Sequence, residues 1–526
     1  MGLWEKLIGK KAKNKAEESE ETKAYKSLDK NAEAIKDILL DCDDLIYREI
    51  KIGTSENHRA ALLYIDGMTN RDVLNEHVLQ NLMVNTRMTP PGPRNIKQEL
   101  STLIKDNNIT AVDIKEVETI QNAVLQILSG ETVLILDNYE KFIIVATKGW
   151  SFRGISQPET ESVIRGPRDG FIEVLRVNTT MIRRRIRDPR LKLKNYQIGR
   201  RSKTDIGVMY IEDIVNQTAL KEVDKRLSSI DIDAIIDSGY VEQLIEDNWK
   251  SPFPQIQSTE RPDVTAAALY EGKVIIVVDN SPFTLIVPTT FNAMMQSAED
   301  YYDRWGIATF IRVLRYIGAF ISLYAPAMYI AVTAFHPQML PSKLSMSIAA
   351  NRANVPFPSV LEAIIMELTL EILREAGVRL PGPIGATIGI VGGLVIGQAA
   401  VEAGIVGPIM VIVVAVTAIS SFAIPRYNLA IGLRLLRFFM IIASGILGLY
   451  GIMLVTIMLL IHLCSLKSFG IPYLAPYTTY IRKYTDLKDT FIKAPLPSMH
   501  TRPTSANPNQ KIRMRDRRRE DLDRED

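Results

Sequence analysis

The chain of 526 residues has only two cysteines, Cys42 and Cys464, and five histidines. Two cysteines so far apart cannot build a disulfide framework or a cysteine-based metal site. The histidines (His58, His77, His336, His462, His500) are scattered without the spacing of metal ligands. Neither a glycine-rich phosphate loop ending in Lys-Ser/Thr nor a Gly-x-Ser-x-Gly elbow occurs. No catalytic residue, metal or cofactor is therefore expected. Charge of one sign is also lacking: 63 Lys and Arg face 60 Asp and Glu, a net +3. That near-balance says little about partners, and nucleic acid is disfavoured as one by the make-up of the basic run within Gln157 to Arg201. Met1 to Lys15 is basic but has no apolar core of a signal peptide. Met1-Gly2 opens like a myristoylation site, yet position 6 is Lys6. The large N-terminal half is expected in the cytoplasm, anchored by the first span.

Long apolar runs are what the last third does have. Tyr316 to Ala334 carries no charge, and Ile384 to Ala400, Ile405 to Ile424 and Phe438 to Cys464 follow in the same style. A bilayer core asks for about 20 apolar residues per helix. The expected architecture is an α/β soluble N-terminal half of two similar subdomains, followed by an all-α multi-pass membrane domain. Its spans are placed at about 314–334, 358–377, 384–400, 405–424 and 438–464, within a membrane domain covering 301–466. Gly385, Gly389, Gly393 and Gly397 recur every fourth residue. They superficially suggest a dinucleotide loop, but inside an apolar run they read as a smooth ridge for helix packing.

The first three hundred residues alternate in α/β fashion. Residues 1–30 form a charged, solvated tail. Helices are expected at Asn31–Leu40, Asp72–Leu82 and Val117–Leu128, and strands at Ala60–Ile65, Thr132–Leu136 and Phe142–Thr147. Met88 to Pro93 (MTPPGP) is a loop. The order then returns. Leu62 to Gly67, with Asn70, is echoed by Val208 to Asp213, with Asn216. Gly130 to Asn138 is echoed by Gly272 to Asn280. Matching offsets indicate subdomains at 31–165 and 166–300. Between the echoes, the polar stretch Gln157 to Arg201 holds Arg183, Arg184, Arg185, Arg187 and Arg190. Without interleaved aromatics it reads as a membrane-facing or inter-subunit helix. Ser251 to Asp263, with Pro252, Pro254, Arg261, Pro262 and Asp263, is expected as an ordered loop at a subdomain or subunit contact, or else as a linker. Residues 467–526 read as a basic, mostly disordered tail.

Ser359 to Gly377 is the unusual element. Wound at about 100° per residue, it sets Glu367, Glu371 and Glu375 on one face. Carboxylates at membrane depth are costly and mark bundle interiors or water-filled paths. One reading has several copies ringing a pore, with Glu367 and Glu371 facing passing cations, Ile364 beside them, and Leu368 as an apolar constriction. Two plainer readings stand beside it: a helix lying flat at the interface, or glutamates paired with Arg312, Arg315 or Arg379. Five crossings, with the tail outside, fit the arginine distribution better than four.

Several of these stretches resemble one family. Arg165-Gly166-Pro167, Ser251 to Asp263, Gln296 to Trp305 (QSAEDYYDRW), Ser347 to Pro358 (SIAANRANVPFP), Glu362 to Pro381, Thr387 to Glu402 and Leu447 to Gly451 are similar to the A subunits of spore germinant receptors, the GerA family of endospore-forming bacteria. The resemblance covers about Asn31 to Tyr477. It implies a protein of the spore inner membrane with a cytoplasmic N-terminal domain and homo-oligomeric assembly. It also implies work beside a transporter-like B subunit and a lipoprotein C subunit, together sensing nutrients and triggering ion release. The A subunit is then a candidate ion channel. The alternatives are a non-conducting scaffold, or an accessory channel like the SpoVA-associated F proteins.

Overall fold

The computed structural model describes residues 22–52, 58–80, 82, 114–149, 157–379, 393, 395–478, 486–503 and 510–514. Two five-stranded antiparallel sheets make up the soluble half. The first unit runs α1 (Leu28–Ile38), β1 (Leu45–Ile52), β2 (His58–Ile65), a π-helical segment (Val73–Leu79), β3 (Ile114–Val117), α2 (Ile120–Leu128), β4 (Thr132–Leu136) and β5 (Phe142–Val145). The second runs α3 (Leu175–Arg185), β6 (Leu191–Ile198), β7 (Thr204–Ile211), α4 (Gln217–Ser229), α5 (Ser238–Ile245), β8 (Gln257–Thr259), α6 (Pro262–Tyr270), β9 (Val274–Val278) and β10 (Thr284–Val287). Strand orders are β1-β2-β4-β5-β3 and β6-β7-β9-β10-β8, the same plan twice. The loop expected at Met88 to Pro93 lies outside the described residues.

The sequence echoes fall on β2 with β7 and on β4 with β9. Every residue of β4 and β9 is buried, which is why both read as uninterrupted apolar runs. The repeat extends to polar details. Asn31 bonds both backbone groups of Tyr25, and Asn178 does the same to Ile172. Asp137 caps the start of α1 by accepting from Leu28 N (3.2 Å), and Asp279 accepts from Leu175 N (3.0 Å). Asn138 and Asn280 both take positive φ, a conformation asparagine tolerates. The helix expected from Val117 starts at Ile120, because Val117 ends β3 and the Thr119 side chain caps the helix at Asn122 N. Of the strands missed in sequence, β1, β3, β6 and β8 are sheet edges, and β10 is interior. At the edges polar residues such as Lys192 and Lys194 interrupt the pattern.

The arginine run does not lie on one exposed helix face as a whole: Arg187 and Arg190 are exposed, but Arg183 is buried. The run ends α3, and Arg183 is 1% exposed, bonded through both Nε and Nη2 to Asp44 of the first unit and through Nη1 to the Leu191 carbonyl. Beside it Asp43 N donates to Leu193 O and Leu193 N to Asp41 O. Arg183 thus joins the two units, since a buried guanidinium must find acceptors, while Arg185 and Arg190 pair within the second unit.

Short helices α7 (Phe291–Met295) and α8 (Glu299–Tyr302) lead into a helical bundle. It comprises α9 (Trp305–Ala334), α10 (Ser342–Arg352), α11 (Ser359–Arg379), a stretch at 395–402, α12 (Pro408–Phe422), α13 (Tyr427–Leu447) and α14 (Leu449–Ser465). By length and composition α9 and α13 could each cross a membrane, while α12 and α14 are shorter apolar helices. The single run expected at 438–464 is instead two antiparallel helices. They are broken at Gly448, whose φ of +60° admits little but glycine. Apolar residues flank that glycine on both sides, so hydropathy alone could not reveal the turn. α13 starts at Tyr427, just after Pro425, and carries Arg434 and Arg437 within the helix instead of in a loop.

Parity follows from this break. The far end of the bundle gathers Phe335, Val360, Gly407 and Gly448: Val360 meets Gly445, Phe335 meets Gly448, and Gly407 meets Glu362. At the near end Pro252 O lies against Gly432, and Ser251 Oγ against His462 Nε2 at 2.9 Å. α9 leads away from the soluble half, α13 does the same, and α14 returns toward it. The chain enters and leaves on the same side. The C-terminal segment thus lies at the end of the bundle where α9 begins, whereas five crossings would carry it to the opposite end. Nor is the whole tail a solvated appendage, because 486–503 and 510–514 fold onto the near end. Asp489 pairs with Arg312 at 2.8 Å, and Arg502 Nε donates to Tyr270 O at 2.7 Å. A count of net basic charge overlooks such individual pairs.

Candidate functional site

Three acids on α11 sit at successive depths in the bundle, each met by arginine. Glu362, near the far end, accepts from Gly407 N at 2.9 Å and lies 3.4 Å from Arg352. Glu367, facing inward, is 5% exposed and pairs with Arg437 Nη1 at 2.7 Å. Glu371, one turn on, is bonded by both oxygens, Oε1 to Arg434 and Oε2 to Arg374, each at 2.9 Å. Its side chain stays 45% exposed.

Proline explains why Arg437 is held so firmly. Pro326 inside α9 has no N–H to give the carbonyl of Ser322, four residues earlier. Arg437 Nε takes that carbonyl at 2.6 Å, and its Nη2 donates to Ser322 Oγ at 2.8 Å. Three helices are thus tied by one guanidinium, and the freed backbone group is satisfied where water is scarce. Oxygen Oε1 of Glu367 is buried with no hydrogen-bond partner.

The sequence-derived candidates separate accordingly. Glu367 does not face a path outside its protomer, and its partner is Arg437 in place of Arg312, Arg315 or Arg379. Glu371 stands at the protomer's edge. Leu368 (53% exposed) and Ile372 (62%) point outward, uncovered. Ile364 is partly buried and packs into a cluster with Ile330, Val406 and Met410. Glu367 and Glu371, set on one face by winding alone, therefore end in different surroundings, one buried and one at the edge. Arg312 and Arg315 instead hold Asp300 at the base of α9. Gly397 is buried against Val411 of α12 (3.5 Å from an added Cβ), whereas Gly393 has nothing within 4 Å. Gly385 and Gly389 lie outside the described residues.

Ser251 to Asp263 joins sheet to bundle. An added Cβ on Gly432 would lie 2.4 Å from Pro252 O, and Phe253 is buried among Leu323, Ala327, Leu429 and Leu433. Pro254 follows, partly buried, in the same turn. Pro262 opens α6 at its first turn, where a missing N–H costs nothing. Arg261 pairs with Asp263 at 2.8 Å and donates to Pro167 O and Glu161 O. Burial and then the Asp263 carboxylate, which accepts the Tyr302 hydroxyl, raise that phenol above its usual range. Glu161 in turn binds Arg426 at the start of α13. Reasoning from sequence missed Arg434 and Arg437. Their signal was an i, i+3 arginine pair in an apolar helix, matching the i, i+4 spacing of Glu367 and Glu371. Among the described residues no group of three or more His, Cys, Asp or Glu side chains is placed to hold a metal.

The family described as Bacillus/Clostridium GerA spore germination protein matches residues 33–505. This chain belongs to the GerA family. Spore germination protein KA of Bacillus subtilis (strain 168) is 44% identical to this GerA-family chain over 487 residues, 93% of this chain and 88% of the relative. Spore germination protein GerLA of Bacillus cereus is 44% identical over 469 residues, 89% of this chain and 93% of the relative. An uncharacterized membrane protein of Bacillus subtilis (strain 168), YfkQ, is 42% identical over 487 residues, 93% of each. The crystal structure of the N-terminal domain of the A subunit of the Bacillus megaterium spore germinant receptor GerK3 aligns at 34% identity and TM-score 0.41. It covers 52% of this GerA-family chain and 98% of that one.

Proposed function

We propose that this GerA-family chain is the A subunit of a nutrient-sensing germinant receptor, an integral protein of the spore inner membrane. In this reading it triggers germination by forming an oligomeric ion channel gated by a transporter-like B-type subunit and a C-type lipoprotein. The names of its relatives support the germination role. A collar of outward apolar residues, among them Ile412, Ile419, Phe439, Ile446, Met458 and Ile461, supports membrane integration. Arg304, Arg312, Arg315 and Arg426 cluster at the soluble end, which supports a cytoplasmic N-terminal half.

The observation that carries the channel reading is the outward face of α11. Leu361, Leu368 and Ile372 are exposed there with Glu371 at the edge, on a helix whose other face is tied down by buried ion pairs. Copies of that face around an axis supply an apolar constriction beside carboxylates, the two elements of a gated cation path. A second reading, a non-conducting scaffold, is favoured by one fact: both oxygens of Glu371 already serve arginines of the same protomer. An accessory channel like the SpoVA-associated F proteins would use the same face without sensing. Replacing Glu371 by Gln in a sporulating host and following potassium efflux after nutrient addition separates conduction from scaffolding. Altered efflux at normal protein level supports the channel, and unchanged efflux supports the scaffold.

A further inference from the structure

Where the soluble half, the base of the bundle and the returning C-terminal segment meet, they enclose a cavity of about 600 Å³. Its floor is α6 with Val264, Ala266 and Ala267, and its wall includes Tyr301 and Tyr302. Its roof is the C-terminal segment with Leu496, Arg502, Pro503 and Arg513.

Charge in this space is unbalanced. Five cationic side chains line it against two carboxylates, Asp263 and Glu271. Asp263 is taken by Arg261, and Glu271 by Lys273 at 3.0 Å. Arg185 is bonded to Asp169, and Arg426 to Glu161. Two cations remain. Arg502 is buried and held by neutral acceptors alone, the carbonyls of Tyr270, Gln510 and Ile512 and the Gln510 side chain. Among the described residues no carboxylate lies within ion-pair distance of Arg502 or Arg513. Burial of an uncompensated cation is costly, and an arriving anion relieves that cost. Guanidinium forks match carboxylate and phosphate oxygens in particular.

We propose that this cavity is a binding site for a small organic anion, its carboxylate or phosphate held by Arg502 and Arg513 and its apolar body laid on Val264, Ala266 and Ala267. A volume of this size suits a single small molecule. Because its walls come from three parts of the chain, a ligand bound here couples the C-terminal segment to α6 and to the start of α13. The binding claim stands apart from the channel reading and is tested without ion flux.

The test uses the full-length protein in detergent and phenyl phosphate as probe, titrated by calorimetry at low salt. Inorganic phosphate and phenol serve as the two half-ligands. Saturable binding of phenyl phosphate is expected, at least tenfold tighter than either half. Arg513→Gln is expected to weaken it about tenfold, and Ala267→Trp, which fills the exposed floor, to abolish it. Neither variant should shift the melting temperature of the unliganded protein by more than about a degree. Absence of saturable binding, as a second copy of the chain filling the space would produce, overturns the proposal. So does binding that both variants leave unchanged. Equal affinity for phenyl phosphate and inorganic phosphate overturns the apolar half of the site.

Discussion

Arg312, two turns into the first bundle helix, and Asp489, in the C-terminal segment, are held 2.8 Å apart in the interior. Nε and Nη2 of Arg312 also reach Asp300, which Arg315 grips with two further bonds. Asp489 is steadied from its other side by the Tyr301 hydroxyl at 2.7 Å. Arg312→Ala is expected to destabilise the protein by about 3–5 kcal/mol, because it leaves buried carboxylates without their cation. Asp489→Ala, with Asp300 still in place, should instead release the C-terminal segment. Limited trypsin digestion should then cut at Lys488 and Lys493 several-fold faster than in the native chain, with the bundle intact. Equal cleavage rates would contradict the clasp.

The pair Asp44–Arg183 makes a parallel case between the two sheets. Asp44→Ala strands a guanidinium that is 1% exposed, at an expected cost of about 3–5 kcal/mol. The double variant Asp44→Leu with Arg183→Met removes both charges and should recover most of that loss. Thermal unfolding of the full-length protein in detergent measures it. A double variant no more stable than Asp44→Ala would show that the ion pair itself, beyond charge compensation, holds the units together.

A pH dependence follows from α5 and the residue after it. Burial, then the neighbouring Glu246 and Asp237, push the Glu242 carboxyl up to about 7. Burial, then Asp247, does the same to Glu246. Both folded-state values lie above the usual 4.5, so the folded protein holds protons that the unfolded chain has released. Their stabilising contribution is complete below pH 4.5 and is lost as pH rises through 7. Glu242→Gln should therefore raise the melting temperature at pH 8 relative to the native chain and leave it nearly unchanged at pH 4.5. The same difference at both pH values would contradict the assignment.

Much of the fold could be read in advance wherever burial is two-sided. β4, apolar after Thr132, and β9, apolar throughout, announced both themselves and the duplication. Edge strands β1 and β6, half solvated, gave a mixed pattern. Helix α11 was visible from its flanking prolines and its length, but which way each acid points was not. Rotation about a helix axis is set by partners, and Arg434 and Arg437 belong to a helix that starts at Tyr427, ahead of the expected span. The Pro326 gap was written in the sequence too. Its use by Arg437 depends on a contact 115 residues away along the chain. Long-range pairs of single charges leave no periodic trace, which is also why the docked C-terminal segment read as a tail.

The proposed conduction path rests on the uncovered face of α11, where Leu368 is exposed. Leu368→Cys, made in a Cys464→Ser background and expressed in a sporulating host, presents one reactive thiol to that path; Cys42 is buried. Treatment with a charged methanethiosulfonate reagent during nutrient exposure should block potassium efflux in this variant, while the Cys464→Ser parent is unaffected. Full labelling at position 368 with undiminished efflux would contradict a path along α11 and leave the scaffold.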